Sequence, residues 1–289
     1  MKIGFVGLGI MGSRMASNLL DGGTDLIIHN RSKGKAGELL EKGAIWADGL
    51  AAMKEVDIIF SMLAHPQAVI DMATGADGFL NHLKPNSLWV DCSTVNPSFT
   101  REMAAEASAR SIRFLEAPVA GTKPQAQNAQ LVFFVGGDAK DLETAKPYFD
   151  KMGQRIIHAG ANGMGMSLKV VINLLLGTSM AAFAEAITLG EALGIQQETL
   201  FNALMGGPVT APYIASKREM MSSGDYEPQF PLQWMHKDMQ MASIAAYDAG
   251  TPSPVANATK ELFQMAVVDG LGTSDFAAVY KFLNKRSAE

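Results

Sequence analysis

The sequence predicts two domains: an N-terminal α/β domain on a doubly wound parallel sheet over residues 1–162, followed by an all-helical C-terminal domain over residues 163–289. Three observations point there. Residues 1 to about 135 alternate short β-rich apolar runs with helix-compatible stretches. A glycine-rich turn joins the first run to the first helix, and after Gly160 the strand signals stop. A chain of 289 residues exceeds one ordinary core. With 48% hydrophobic and 18% charged residues it has enough apolar material for two cores, and it carries no disorder-prone tract.

Strands are expected at 2–6, 25–29, 58–61, 88–91, 113–116 and 131–136, with helices such as 11–21 and 98–110 between them, the latter announced by Pro97. The second half reads as helices near 163–194, 197–205, 210–222, 231–250, 254–270 and 275–284. Gly194, Gly206, Gly207, Gly250 and Gly270 stand as C-caps. The 18 methionines, many in this half, read as adaptable core filling. The longest apolar run, 170–184, contains Asn173, Thr178 and Ser179 and then meets Glu185. It falls short of the roughly 18–20 apolar residues of a membrane span and reads as a buried helix.

Charge and cysteine content restrict the function classes. A net charge of −5 provides no broad attraction for nucleic acid or an anionic membrane, so neither is an expected partner. A lone Cys92 makes no internal disulfide and no cysteine metal site, and reads as a small buried hydrophobe in a reducing compartment; a cytoplasmic location is expected. The N-terminal apolar run is interrupted by glycines and passes into Ser13, Arg14 and Asn18 without a small-residue cleavage site, so it is not read as a signal peptide.

The glycine-rich turn is Gly7-Leu8-Gly9-Ile10-Met11-Gly12, directly after the strand KIGFV and opening the helix MGSRMASNLL. Glycines at this spacing allow a tight turn and close approach of backbone to a pyrophosphate, while the helix N-terminus supplies N–H groups for its charge. In an alternating βαβ pattern this predicts a Rossmann-type dinucleotide site. After strand two, where NAD-binding chains present an acid to the ribose, the sequence is His29-Asn30-Arg31-Ser32, without a carboxylate. Arg31 and Ser32, with Lys33 and Lys35 nearby, suit a 2′-phosphate, which favours NADPH over NADH. Two more loops leave strand ends where ligands of such sheets gather. One carries Met62 and Leu63, suited to packing along ribose and nicotinamide; the other, Asp91-Cys92-Ser93-Thr94, offers the Thr94 hydroxyl.

Lys169 and Asn173 are four apart, one above the other on a helix within an apolar segment. Burial lowers the pKa of a lysine, which suits it to donate or take a proton near neutral pH; snorkelling to the surface is the competing reading. Lys237-Asp238 reads equally as an exposed helical pair, and His236 receives no role. The small-residue loop 116–122 suits backbone N–H recognition of a carboxylate.

Together these segments resemble the β-hydroxyacid dehydrogenase family over essentially the whole chain: GFVGLGIMG, DCSTVNP at 91–97, EAPVAGT at 116–122, GMGMSLKVVIN at 163–173 and KD at 237–238. Within it, NRS after strand two, GTKPQAQNAQL and FPLQWMHKDM are similar to the glyoxylate and succinic semialdehyde reductase branch, which includes NADPH-linked 4-hydroxybutyrate dehydrogenases. The resemblance implies Lys169 as the catalytic acid and Asn173 as a substrate holder. It places Thr94 and Lys237 at the cofactor, Ser93, Gly121 and Thr122 toward substrate, and Phe230 and Asp238 at the edge of the site. One departure is Ala120, where the family usually has serine, which removes a hydroxyl from carboxylate binding.

The expected reaction is hydride transfer from NADPH to a small carboxylate-bearing aldehyde or ketone, with the Lys169 ammonium protonating the developing alkoxide. A 3-hydroxyisobutyrate-type dehydrogenase is the nearest rival, an imine reductase a further one, and a non-catalytic NADPH-binding scaffold the rival from another class. No metal site is visible. The apolar helix 163–194 exceeds what a small monomeric domain covers comfortably, so a homodimer or homotetramer is expected.

Overall fold

The computed structural model describes residues 1–285. The chain forms two compact units, Met1–Lys169 and a second from Val170 on.

In the first unit nine strands form one sheet: β1 (Ile3–Val6), β2 (Leu26–His29), β3 (Ile45–Trp46), β4 (Ile58–Ser61), β5 (Leu88–Asp91), β6 (Arg113–Glu116), β7 (Val119–Ala120), β8 (Leu131–Gly136) and β9 (Gly153–Gly160). The order is β3-β2-β1-β4-β5-β6-β8-β7, with β9 beside β8. β1 to β6 pair in parallel. β8 runs antiparallel to β6 and β7 and parallel to β9, so the expected doubly wound parallel sheet is present as a mostly parallel one. An unbroken apolar run such as LVFFV reads the same in either direction, which is why sequence did not reveal the reversal. β3, β7 and β9 were not expected either: two residues carry no alternation, and GQRIIHAG has too few apolar positions to show a period.

Parallel registry places Val6 beside His29 and Ser61, Ser61 beside Asp91, and Asp91 beside Glu116. The carboxyl ends of these strands therefore form one row, with the strand order reversing between β1 and β4, the position at which ligands of doubly wound sheets bind. Helices α1 (Ile10–Asp21), α2 (Gly37–Glu41), α3 (Pro66–Ala73), α4 (Pro97–Ala109), α5 (Lys123–Gln127) and α6 (Ala139–Met152) connect the strands. Phe5, Phe60, Phe133 and Phe149 are fully buried in this core, Phe133 and Phe149 with ring centres 4.6 Å apart.

The long helix α7 (Met164–Ala192) is 29 residues, long and apolar enough by length and composition to cross a membrane, contrary to the expectation that it would fall short. A core helix passes the same test, and 44% of its most apolar window is buried inside the protein. Val171, Leu175 and Leu189 remain exposed along it, and Leu193 just past its end. The first unit runs to Lys169 and includes the first turn of α7, which packs on the sheet: a methyl group on Gly165 would collide with the Phe134 carbonyl oxygen of β8.

The second unit continues with α8 (Gln197–Leu204), α9 (Arg218–Ser223), α10 (Leu232–Asp248), α11 (Pro254–Ala266) and α12 (Val279–Lys285), with no strand among its described residues. Met180, Met235 and Met239 are fully buried with Phe201, Phe263 and Phe276, the core-filling role expected of methionine. An ion pair, Lys217–Asp275, lies inside this core. Lys217 (2% exposed) stands 3.0 Å from Asp275 (0%), and its ammonium lies 5.0 Å from the centre of the Phe276 ring. Asp275 also accepts from the N–H groups of Gln229, Phe230 and Ala277 at 3.0–3.1 Å, which pins the segment entering α10. Removing one partner of such a pair strands the other charge, so Lys217→Met is expected to lose about 3–5 kcal/mol in urea unfolding. A loss under about 1 kcal/mol would show that Asp275 is satisfied by its backbone donors alone.

Candidate active site

The loop after β1 is built for contact with a phosphate. Gly7 has φ +97°, and a methyl group there would strike the Met62 carbonyl oxygen; one on Gly12 would strike the Gly7 carbonyl oxygen. Only bare backbone packs this tightly, whereas above Gly9 a Cβ would meet no atom within 4 Å. Gly9 caps α1 without a side-chain hydrogen bond, so the N–H groups of the first turn, which have no intrahelical acceptor, face a space without a side chain. This geometry fits a dinucleotide pyrophosphate.

Asn30 works inside the protein. Its Oδ1 accepts from Leu8 N–H at 3.0 Å and its Nδ2 donates to Ser32 O at 3.0 Å, tying the glycine loop to the end of β2. Arg31 and Ser32 are exposed beyond it, and Arg31 makes no hydrogen bond or ion pair among the described residues. Lys33 lies over the Trp46 ring, 5.5 Å from its centre, and 3.9 Å from Asp48. Met62 and Leu63 are half-buried beside Gly7, the Leu63 Cδ2 atom 2.9 Å from where a Gly7 Cβ would stand.

Asp91, unremarked in the sequence beyond its strand end, organises the row of carboxyl ends. Its Oδ1 accepts from Ser61 Oγ at 2.7 Å, Ser93 Oγ at 2.6 Å and Ser93 N–H at 3.1 Å, and Trp89 Nε1 donates to Ser61 Oγ at 2.8 Å. Ser93, expected to face substrate, is fully buried, with its hydroxyl donating to Asp91 and accepting from Leu63 N–H at 2.9 Å. Its side chain therefore fixes two loops, because a serine on the row of strand ends meets the buried carboxylate first. The signal available was a charged residue closing an apolar strand, LWVD. Thr94 is half-buried at the head of this loop. Cys92 is fully buried, and burial pushes its thiol well above the ordinary cysteine range, which fits the hydrophobe reading.

Gly121 is exposed at the end of the small-residue loop. The N–H and hydroxyl of Thr122 both donate to Gln125 Oε1, at 2.9 and 3.0 Å, so both donors expected for a carboxylate are held by the start of α5. The first residue of the 116–122 segment is Glu116, to which sequence reasoning gave no role of its own: fully buried, it accepts from the N–H groups of Gly163 and Met166 at the start of α7.

Lys169 is 8% exposed on α7, so it does not snorkel to the surface, and Asn173, one turn on, is 1% exposed. In the second unit Asn173 Nδ2 donates to Asp238 Oδ2 at 2.5 Å, and Lys237 Nζ lies 2.9 Å from Asp238 Oδ1. Lys237-Asp238 is thus no exposed pair: α10 turns the carboxylate inward, where it orients the Asn173 amide and leaves Asn173 Oδ1 without a donor from the protein. Phe230 is half-buried against Phe276, with ring centres 5.6 Å apart. For His236, desolvation and the charge of Lys260 lower the pKa. No group of three or more metal-ligating side chains occurs among the described residues.

Residues 2–160 match the family model of the NAD binding domain of 6-phosphogluconate dehydrogenase, and residues 163–283 that of the NAD-binding domain of NADP-dependent 3-hydroxyisobutyrate dehydrogenase. The chain is 36% identical over 98% of its length, and 79% of the relative's, to glyoxylate/succinic semialdehyde reductase 2 (chloroplastic) of Arabidopsis thaliana. It is equally 36% identical, over 98% of its length and 91% of the relative's, to a probable mitochondrial 3-hydroxyisobutyrate dehydrogenase of Dictyostelium discoideum. Among solved structures, Mycobacterium tuberculosis 3-hydroxyisobutyrate dehydrogenase with L-serine superposes with a TM-score of 0.88 at 30% identity, covering 98% of both chains. With a mostly parallel Rossmann-like sheet carrying the glycine loop, a helical second unit and these matches across both, the chain belongs to the NAD(P)-dependent β-hydroxyacid dehydrogenase family of oxidoreductases.

Proposed function

We propose that this enzyme uses NADPH to reduce a small aldehyde or keto acid bearing a carboxylate, with succinic semialdehyde to 4-hydroxybutyrate and glyoxylate to glycolate as the preferred reactions. The observation that carries the reading is the pair of buried polar residues on α7, Lys169 and Asn173, in a chain whose glycine loop fits a dinucleotide. The bound cofactor supplies hydride to the carbonyl carbon. The ammonium of Lys169 donates a hydrogen bond to the carbonyl oxygen and transfers a proton to it as the carbon is reduced. Asn173, its Nδ2 held by Asp238, presents Oδ1 as an acceptor for the hydroxyl that forms. Recognition of the carboxylate falls to the loop around Gly121 and Thr122, with Ala120 contributing no hydroxyl and with Gln125 yielding the Thr122 donors.

A second reading, a branched semialdehyde of the 3-hydroxyisobutyrate type, is supported by the Dictyostelium and Mycobacterium relatives. The decisive experiment is NADPH oxidation by the purified protein with glyoxylate, succinic semialdehyde and methylmalonate semialdehyde, with Lys169→Ala alongside. Turnover of the first two, reduced at least about 100-fold in the variant with NADPH affinity retained, is expected. Preference for the branched substrate selects the second reading, and near-normal turnover by Lys169→Ala removes the proposed acid.

Arg31 and Ser32 are assigned to the 2′-phosphate, since no carboxylate occupies the end of β2 and Arg31 is exposed without a partner among the described residues. Arg31→Ala should weaken NADPH about 10- to 100-fold, the range of a charge-assisted contact, and leave NADH little changed. Equal losses for the two would sink this assignment.

The exposed row Val171, Leu175, Leu189 and Leu193 supports a homodimer or homotetramer covering α7. Light scattering at micromolar concentration should give a mass of two or four chains; a single-chain mass would refute it.

A further inference from the structure

We infer that Glu116 is a positioning residue for the reaction: its buried carboxylate fixes the first turn of α7, and through that turn the height and rotation at which Lys169 stands. The inference rests on Lys169 being the proton donor.

The carboxylate sits at the last residue of β6, fully buried. It receives Gly163 N–H at 2.8 and 2.6 Å on its two oxygens, and Met166 N–H on Oε1 at 3.1 Å. These are N–H groups that the helix itself cannot satisfy, and an anion at this end also meets the favourable end of the helix dipole. The sheet is shaped around the arrangement. Gly136 of β8, paired with Glu116, has no room for a Cβ, which would strike Glu116 Oε1, and Gly165 lies directly on the β8 backbone. Lys169 follows Met166 by three residues, less than one turn and a rise of about 4.5 Å, too short for the helix to absorb a displacement at its start. Burial pushes the Glu116 pKa up, while hydrogen bonds from Gly163, Met166 and Gly165 pull it down and the Asp91 charge adds upward. A carboxyl retained at that cost in desolvation is more than filling, since an apolar side chain of like size would cap nothing.

The test separates positioning from mere support of the fold. Glu116→Gln keeps volume but aims an amide N–H₂ where Gly163 N–H now donates; Glu116→Asp keeps charge but falls one methylene short. Both are measured with and without Lys169→Ala, thermal unfolding confirming which are folded. Since a misplacement of about 1 Å costs up to about 100-fold, each folded variant should lose at least about 10-fold in kcat, with KM for NADPH within about twofold of wild type. The same substitution placed on Lys169→Ala should cost less than about twofold further, because Glu116 acts only through Lys169. Either folded variant at wild-type kcat, or an undiminished loss in the Lys169→Ala background, overturns the role of Glu116. If Lys169→Ala is itself slowed at least about 100-fold in those cases, the acid assignment stands alone; if it turns over normally, both fall.

Discussion

The in-register parallel pairing of β1, β4, β5 and β6 is the constraint on which the site depends. It brings Val6, Ser61, Asp91 and Glu116 into a single row, so that the four loops beyond them start side by side. Because register fixes which face and which level each residue occupies, a slip of one residue would move every polar group in this row away from its partner. The row is also where the sheet loses its own hydrogen-bond ladder, leaving backbone groups to be satisfied by side chains or ligand.

Two buried carboxylates, Asp91 and Glu116, meet that need in the protein itself. Asp91 gathers the hydroxyls of Ser61 and Ser93, and through Ser93 holds the backbone of Leu63. Glu116 gathers the free N–H groups that begin α7. Each acid accepts several short-range donors, which offset part of the cost of burying its charge. The Lys217–Asp275 pair does comparable work within the second unit, holding the backbone of Gln229 and Phe230.

Much of the fold was legible in the sequence, because its signals are local: the glycine spacing after β1, the alternation of strand and helix, and the glycines between the later helices. β3 and β7 escaped because two residues show no period, and the reversal of β8 because an apolar run has no direction. In the site, the glycine loop followed from spacing, whereas for Lys169 spacing left burial and snorkelling both open and the fold decided for burial. The duties of Asn30, Ser93 and Thr122 did not follow from spacing. All three were read as free to face ligands, yet their polar atoms meet Leu8, Asp91 with Leu63, and Gln125. For Asn30 and the Ser93–Leu63 contact the partners lie 22 and 30 residues away in sequence, close only once the sheet has formed.

The same physics explains why recognition of the carboxylate is the least legible part of the chemistry. A hydride acceptor needs one acid at one atom, and a lysine on an apolar helix advertises itself by its cost of burial. A carboxylate can be held by backbone N–H groups, which every residue carries, so loop conformation rather than residue identity determines whether they point at it. Here the Thr122 donors point at Gln125, whose amide oxygen has the hydrogen-bonding character of one carboxylate oxygen; under the proposed function an incoming acid would compete with it for those donors. On that proposal, substrate choice would turn on how readily Gln125 is displaced. That property belongs to the short helix α5 and its packing, which no single motif in the loop records.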